Sequence, residues 1–325
     1  MLDVHIKSPL NRITYADSIV AIGSCFTEHI GRRLEELKFP ILQNPNGILF
    51  DPLSVCKSLN AYMEGRQYQE ADLFFLNELW QSWDHHSHFS AMNAKEVLNN
   101  INTSQLSAYE QLKKTNWLII SLGSSFSYQL VENGQSVANC HRAPGQWFNK
   151  HLLTTNETVE ALTQTIERLK VFNPACNIIF TISPVRHIRD GVVENNRSKA
   201  RLLEAVHTLV DLYNHAHYFP AYEIVIDVLR DYRFFDIDLV HPNYAATEYV
   251  FEKFVSSFID EEATSIMEEV KKIMTSYKHK PFHPETKAHQ LFLQSNIDKI
   301  KELGSKFPYL DFSQELYYFQ HGGKV

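Results

Sequence analysis

Two segments more than two hundred positions apart carry the residue types that acyl transfer needs. Ser24 and Cys25 stand side by side in Gly23-Ser24-Cys25-Phe26, where the apolar run SIVAIG (18–23) passes at once into a helical pattern with Ile30, Leu34 and Leu37 on one face. A residue at such a junction lies at a helix N-terminus, among unpaired N–H groups that favour negative charge. A hydroxyl there suits an acyl nucleophile whose oxyanion those donors stabilise, provided a base takes its proton. A thiol there has its pKa lowered, which makes Cys25 the rival. The plainer reading of Ser24 is a helix cap, a place that Thr27 could also fill. Adjacent side chains on a tight turn diverge, so only one of Ser24 and Cys25 is expected to face the solvent side.

The second segment is DIDLVHPNYAA. Asp238 and His241 are three residues apart, and Pro242 keeps His241 out of the helical region, on the loop before a helix that Asn243 can cap. A serine needs a histidine to remove its proton, and the histidine needs a carboxylate to fix its tautomer and offset its developing charge. Asp-x-x-His supplies that second pair on one short loop.

Other clusters compete. Asp84, His85, His86 and His88 crowd together, and on a strand Asp84, His86 and His88 would share one face. No partner ligand follows at a recognisable spacing, so the lining of a substrate pocket by His85 and His88 is preferred to a metal site. Trp80 and Trp83 beside them suit stacking on a sugar ring or an ordinary core contact. His187, in SPVRH, ends a strand and rivals His241 as base, with Asp190 the nearest acid. Arg142 and Arg186 could meet a substrate carboxylate or pair at the surface.

The elements that must position these groups are strands alternating with helices. SIVAIG (18–23), WLIISLG (117–123) and NIIFTIS (177–183) read as buried strands, and 217–227 as a further one. Helical patterns cover 28–37, 156–171, 197–213 and 243–259. Together they predict a parallel sheet covered on both faces over residues 1–259, with an insertion over the sheet edge at about 51–115 and a helical extension at 260–325. Within that extension, Ile266, Met267, Val270, Ile273, Met274 and the Tyr317-Tyr318-Phe319 tail fit either packing or a dimer seam, which keeps a homo-oligomer open.

Composition narrows the partners. Of 325 residues 44% are hydrophobic, and a net charge of −7 with scattered Lys and Arg gives no basic field for a phosphate backbone, which argues against nucleic acid. No run approaches the length of a membrane span and no signal segment opens the chain, so the expected location is cytoplasmic. Four dispersed cysteines fit neither a zinc site nor a disulfide framework.

The pairing of the Gly-Ser-Cys-Phe turn with Asp-x-x-His-Pro resembles the GSCFA family, placed within the SGNH hydrolases and named for the motif that here reads Gly23-Ser24-Cys25-Phe26-Thr27, with Thr27 where the family has Ala. NPNGILFDP (44–52), SWDHHSHFS (82–90), ISLGSSFSY (120–128), ANCHR (138–142), TISPVRH (181–187), NRSKARL (196–202) and YFPAYEIVID (218–227) also resemble it. The resemblance implies a three-layer α/β/α sandwich of the SGNH hydrolase, flavodoxin-like type. It also implies a carboxyl-ester hydrolase with Ser24 as nucleophile, His241 as base and Asp238 as orienting carboxylate, acting on a small-acyl ester, often a sugar O-acetyl ester, without metal or organic cofactor. The oxyanion hole it implies combines the Ser24 N–H with Gly47 and with a third donor. That donor is Ser125, which stands where the superfamily has Asn, or Asn139. Two alternatives share the fold: a non-catalytic module with a pocket around Trp83 and His88, and transfer of the acyl group to a sugar hydroxyl.

Overall fold

In the computed structural model, which describes residues 2–322, β1 (Ile19–Gly23) turns directly into α1 (Cys25–Glu36), and β2 (Ile41–Gln43) follows. Next come α2 (Pro52–Glu64), the hairpin of β3 (Phe74–Leu76) and β4 (Leu79–Gln81), α3 (Ala94–Leu112) and β5 (Trp117–Leu122). A small antiparallel sheet of β6 (Phe126–Leu130), β7 (Ser136–Val137) and β8 (Phe148–Leu152) precedes α4 (Thr155–Phe172), β9 (Asn177–Ile182), α5 (Val192–Leu212), β10 (Ala216–Phe219) and the short α6 (Ala221–Glu223). The chain continues through α7 (Tyr244–Phe258), α8 (Glu261–Lys278), α9 (Lys287–Lys306) and α10 (Ser313–Gln320).

The central sheet has the order β10-β9-β5-β1-β2 with every pairing parallel, the flavodoxin-like order, and helices cover both faces. Chain progression reverses between β1 and β5. In open sheets of this kind ligands bind outside the carboxyl ends of the strands at that reversal.

Alternation along the strands divides the core. Ile19, Ala21, Trp117, Ile119 and Ile179 face α1 and α7, while Val20, Ile22, Leu118, Ile120 and Phe180 face α2, α4 and α5. Ile266, Met267, Val270, Ile273, Tyr318 and Phe319 are buried in the first of these two layers. The apolar stripe of the extension is therefore packing within the chain. Lys38 at the far end of α1 pairs with Glu315 of α10 at 2.8 Å, the carboxylate only 2% exposed.

Two segments depart from the expected elements. The strand expected at 217–227 ends at Phe219, and Pro220 leads into α6 and a wide helical turn at Ile224–Val228. A short apolar run does not distinguish a buried strand from a buried helix, and Pro220 lacks the N–H to continue the ladder. The segment 51–115 also divides. Val55, Leu59 and Tyr62 of α2, with Ala108 and Leu112 of α3, pack on the sheet itself, so only the stretch between the two helices rises from it. Asp51 accepts from the Ser54 N–H and Pro52 opens α2, a helix-start signature present in the sequence.

One buried cation ties the carboxyl edge together. Lys199 of α5 is 1% exposed, and its Nζ donates to the carbonyls of Gly123 and Ser183, both at 2.6 Å, just beyond the ends of β5 and β9. Burial draws its pKa from 10.5 down to about 7. Between these two values the unfolded chain holds a proton that the folded chain has shed, so stability owed to Lys199 rises with pH across this window and is lost as pH falls through the folded value. The difference in unfolding free energy between the wild type and Lys199→Met is expected to grow from pH 7.5 to 9, by up to about 1.4 kcal/mol per pH unit. Urea unfolding at the two pH values measures it, and a pH-independent difference contradicts it.

Candidate active site

Gly23 is the hinge of the β1–α1 turn. Its φ is +134°, and a Cβ there would lie 2.0 Å from the Ser121 carbonyl oxygen, so only glycine fits. Ser24 takes the N-cap position of α1, yet its side chain makes no capping bond. The hydroxyl turns instead to the Oγ of Ser121 on β5, at 2.8 Å. Ser24 is 0% exposed. Around the neighbouring Gly123, Phe50 and His187 are partly exposed and meet edge to face with ring centroids 5.2 Å apart.

The rival thiol is disfavoured. Burial, followed by the negative charge of Glu28, raises the Cys25 pKa above its usual value and keeps the thiol protonated.

Asp238 and His241 form a complete pair on the loop before α7. Asp238 Oδ1 accepts from the N–H groups of Val240 and His241 at 2.9 and 3.0 Å, and Oδ2 lies 2.6 Å from His241 Nδ1. These bonds, led by those to His241, hold the Asp238 carboxyl at about 2. A proton on Nδ1 facing that carboxylate leaves Nε2 free to accept one, the tautomer that a general base requires. The pair is about half exposed, at 45% for Asp238 and 48% for His241. Burial is the chief cause that lowers the pKa of His29 on α1 and of His187, with positive neighbours, His241 among them, adding to it. Among the described residues no hydrogen bond joins His241 to Ser24.

The loop after β9 braces this pair. Arg186 donates to the Leu239 carbonyl at 2.9 Å and stacks over the Phe235 ring at 4.1 Å, so its guanidinium steadies the Asp238–His241 turn.

Three of the four expected oxyanion donors are engaged elsewhere, and the fourth, Asn139, lies beside Trp83 with its side-chain oxygen taken. The Ser24 N–H donates to the Ser121 carbonyl at 3.0 Å, and the Gly47 N–H to Asn44 at 2.7 Å within its own turn. Ser125 gives its N–H to Ser198 Oγ at 2.7 Å and its hydroxyl to Ser198 as well. Asn139 accepts from the His141 N–H at 2.9 Å, beside Trp83. Two buried nitrogens near Ser24 have no partner among the described residues: Asn44 Nδ2, whose Oδ1 holds the Gly23 N–H at 2.9 Å, and His187 Nε2.

The expected pocket residues separate into two groups. Trp83 is stacked on Phe74, with Leu130 and Val137 also in its cluster, and belongs to a small core under the β6–β8 sheet. His85 is 1% exposed with Nδ1 on Ser82, and burial lowers its pKa to about 3. His88 is exposed and sits against the Gly47 turn, where the charge of Glu28 reaches it, and His187 stands over Gly123. The Asp84 carboxylate is taken by Lys57 Nζ at 2.5 Å, separate from the imidazoles that would have completed a metal site. A cavity of about 560 Å³ lies between α1, α7 and α8, but Ser24, Asp238 and His241 do not line it.

Sequence reasoning missed Lys199, Ser121 and Asn44. Lys199 had a readable signal, since it falls on the stripe of α5 that buries Leu202, Val206 and Leu209. Ser121 meets Ser24 only through the pairing of β1 with β5, which no local pattern encodes.

Comparisons with known proteins show the family. The model of the GSCFA family matches residues 18–254, and that of the GSCFA domain protein, C-terminal domain, matches residues 270–322. A search of curated proteins returns no match. Among solved structures, an acetyl xylan esterase from the rumen bacterium Butyrivibrio proteoclasticus is similar, with 11% identity and a TM-score of 0.36. That match covers 76% of this chain, which spans 64% of the esterase's length. With the family model covering most of its length from the β1–α1 turn through the Asp238–His241 loop, the chain belongs to the GSCFA family.

Proposed function

We propose that the chain is an SGNH-type serine hydrolase of small-acyl carboxyl esters, with acetyl esters of carbohydrates the preferred class. The observation that supports this reading is the Asp238–His241 contact of 2.6 Å, which leaves Nε2 as an accepting base on the loop before α7. The Ser24 hydroxyl, which gives up its helix-capping bond, is the nucleophile. Its Oγ attacks the ester carbonyl carbon, its proton passes to His241 Nε2, and the carbonyl electron pair becomes the oxyanion. Collapse of that intermediate expels the alkoxide, which takes the proton from His241 and leaves an acyl-Ser24. Water, activated by the same nitrogen, then releases the acid. Asp238 keeps the imidazole oriented and offsets its positive charge.

A second reading, a ligand-binding module on the same fold, is favoured by one observation. Ser24 is 0% exposed, and its hydroxyl is bonded to Ser121 and not to His241. Catalysis therefore requires the Asp238–His241 loop to approach and Phe50 to move aside, and hydrogen bonds of unliganded enzymes often tighten only on binding substrate.

A fluorophosphonate probe distinguishes the readings. Labelling of the folded wild type and of Cys25→Ala, with none in Ser24→Ala, is the expected result; an unlabelled wild type supports the binding module. For p-nitrophenyl acetate, His241→Ala and Asp238→Asn are each expected to lower kcat by about 10³–10⁴-fold. Losses below tenfold in both would remove the pair from the mechanism. Phe50→Ala is expected to speed labelling several-fold, because it uncovers the hydroxyl. An unchanged rate would show that Phe50 is not the barrier. With an acetylated xylan and an acceptor sugar together, free acetate identifies hydrolysis and a newly acetylated sugar identifies transfer.

A further inference from the structure

We infer that His187, acting as a neutral imidazole through its Nε2–H, is the side-chain oxyanion donor of this site. The inference rests on the hydrolase reading above and adds a donor to it, since the Ser24, Gly47 and Ser125 donors are occupied. The geometry is a convergence on the bare α-carbon of Gly123. A Cβ placed there would stand 3.1 Å from His187 Nε2, 3.2 Å from Phe50 Cδ1 and 3.3 Å from Ser24 Cβ. His187 Nε2 and the Cβ of the candidate nucleophile thus both pack against Gly123 at the carboxyl end of β5, beside the β1/β5 reversal.

Nε2 is buried and has no hydrogen-bond partner among the described residues, although the rest of the residue is firmly held. The His187 N–H donates to Asn195 Oδ1 at 2.9 Å, and the ring packs edge-on against Phe50. An unsatisfied buried nitrogen costs about 1–3 kcal/mol, and one held beside a nucleophile is accounted for by a partner that arrives with the reaction. The oxyanion formed when the carbonyl electron pair shifts onto oxygen is such a partner.

The charge state fits a donor and not a base. Burial, the Lys199 ammonium and His241 together push the His187 pKa to about 4, so at neutral pH the ring is uncharged. It carries one N–H to give and is a weak proton acceptor. The base is left to His241, whose Nδ1 is fixed by a carboxylate. A neutral histidine acting as electrophile in this way has precedent in enzymes that polarise carbonyl groups.

The test uses the full chain with p-nitrophenyl acetate and the fluorophosphonate probe. His187→Ala is expected to lower kcat by about 10²–10³-fold with KM changed less than threefold, the signature of one lost oxyanion donor. His187→Gln, which keeps an N–H donor, is expected to recover at least tenfold of that loss while leaving the pH profile of kcat/KM at its wild-type position. Phosphonylation of Ser24 is expected to move the His187 side-chain ¹⁵N resonance of Nε2 in the wild type. Three results overturn the inference: a His187→Ala kcat within threefold of wild type, a His187→Gln as inactive as His187→Ala, or an Nε2 resonance unmoved by phosphonylation. If the wild type neither turns over ester nor takes the probe, the hydrolase reading itself fails. Loss in His187→Ala with normal labelling and turnover in the wild type bears on His187 alone.

Discussion

The carboxyl edge of the sheet is organised by a buried amino group that has no carboxylate beside it among the described residues. Lys199 holds the carbonyls of Gly123 and Ser183 at 2.6 Å each, and those two residues begin the loops that leave β5 and β9. The first loop brings Gly123 against Ser24. The second carries Arg186 and His187, and Arg186 in turn grips the Leu239 carbonyl in the turn that holds His241. From one lysine, a run of hydrogen bonds thus reaches each of the three loops around the nucleophile turn. Burying a charge is expensive unless polar groups surround it, and two short bonds to carbonyl oxygens supply that environment.

Local chemistry at the β1–α1 turn is given up in favour of a longer-range contact. A serine at a helix N-cap normally accepts from a backbone N–H two or three residues on, a bond whose loss costs about 1 kcal/mol. Ser24 forgoes it, and the hydroxyl of Thr27 in the same turn is also buried without a partner. Departures from local preference concentrate at functional sites, where geometry is set for a reacting partner and not for the resting fold. His187 Nε2 and Asn44 Nδ2 belong to the same group of unmet donors.

Much of this was legible in the chain because the relevant signals are local. The β1, β5 and β9 runs are buried on both faces, which removes the polar alternation of an exposed sheet, and the Asp-x-x-His-Pro spacing fixes a turn before α7 whatever surrounds it. What escaped reading depends on contacts distant in sequence. Ser125 had suitable chemistry, but its N–H and hydroxyl are taken by the distant Ser198, which spacing could not foretell, whereas the Gly47 bond to Asn44 and the Asn139 bond to His141 are local turns. Trp83 fitted a sugar platform by type, yet Phe74 stacks on the same ring face. The run after Pro220 was ambiguous for a different reason, since the four apolar residues of Ile224–Val228 suit a strand or a buried helical turn equally well.

The link between Lys38 and Glu315 gives the segment beyond residue 260 a bearing on α1 as a whole. The helix that starts at the serine is fastened at its other end to α10, through a carboxylate that is 2% exposed and a lysine whose φ of 66° only a tightly wound chain reversal produces. Stripping one member from such a pair strands the other in an apolar setting, at a cost of about 3–5 kcal/mol. The two stretches recognised by separate family models share one buried layer, and a shortened gene product ending near residue 260 would bare the apolar residues of that layer and invite aggregation.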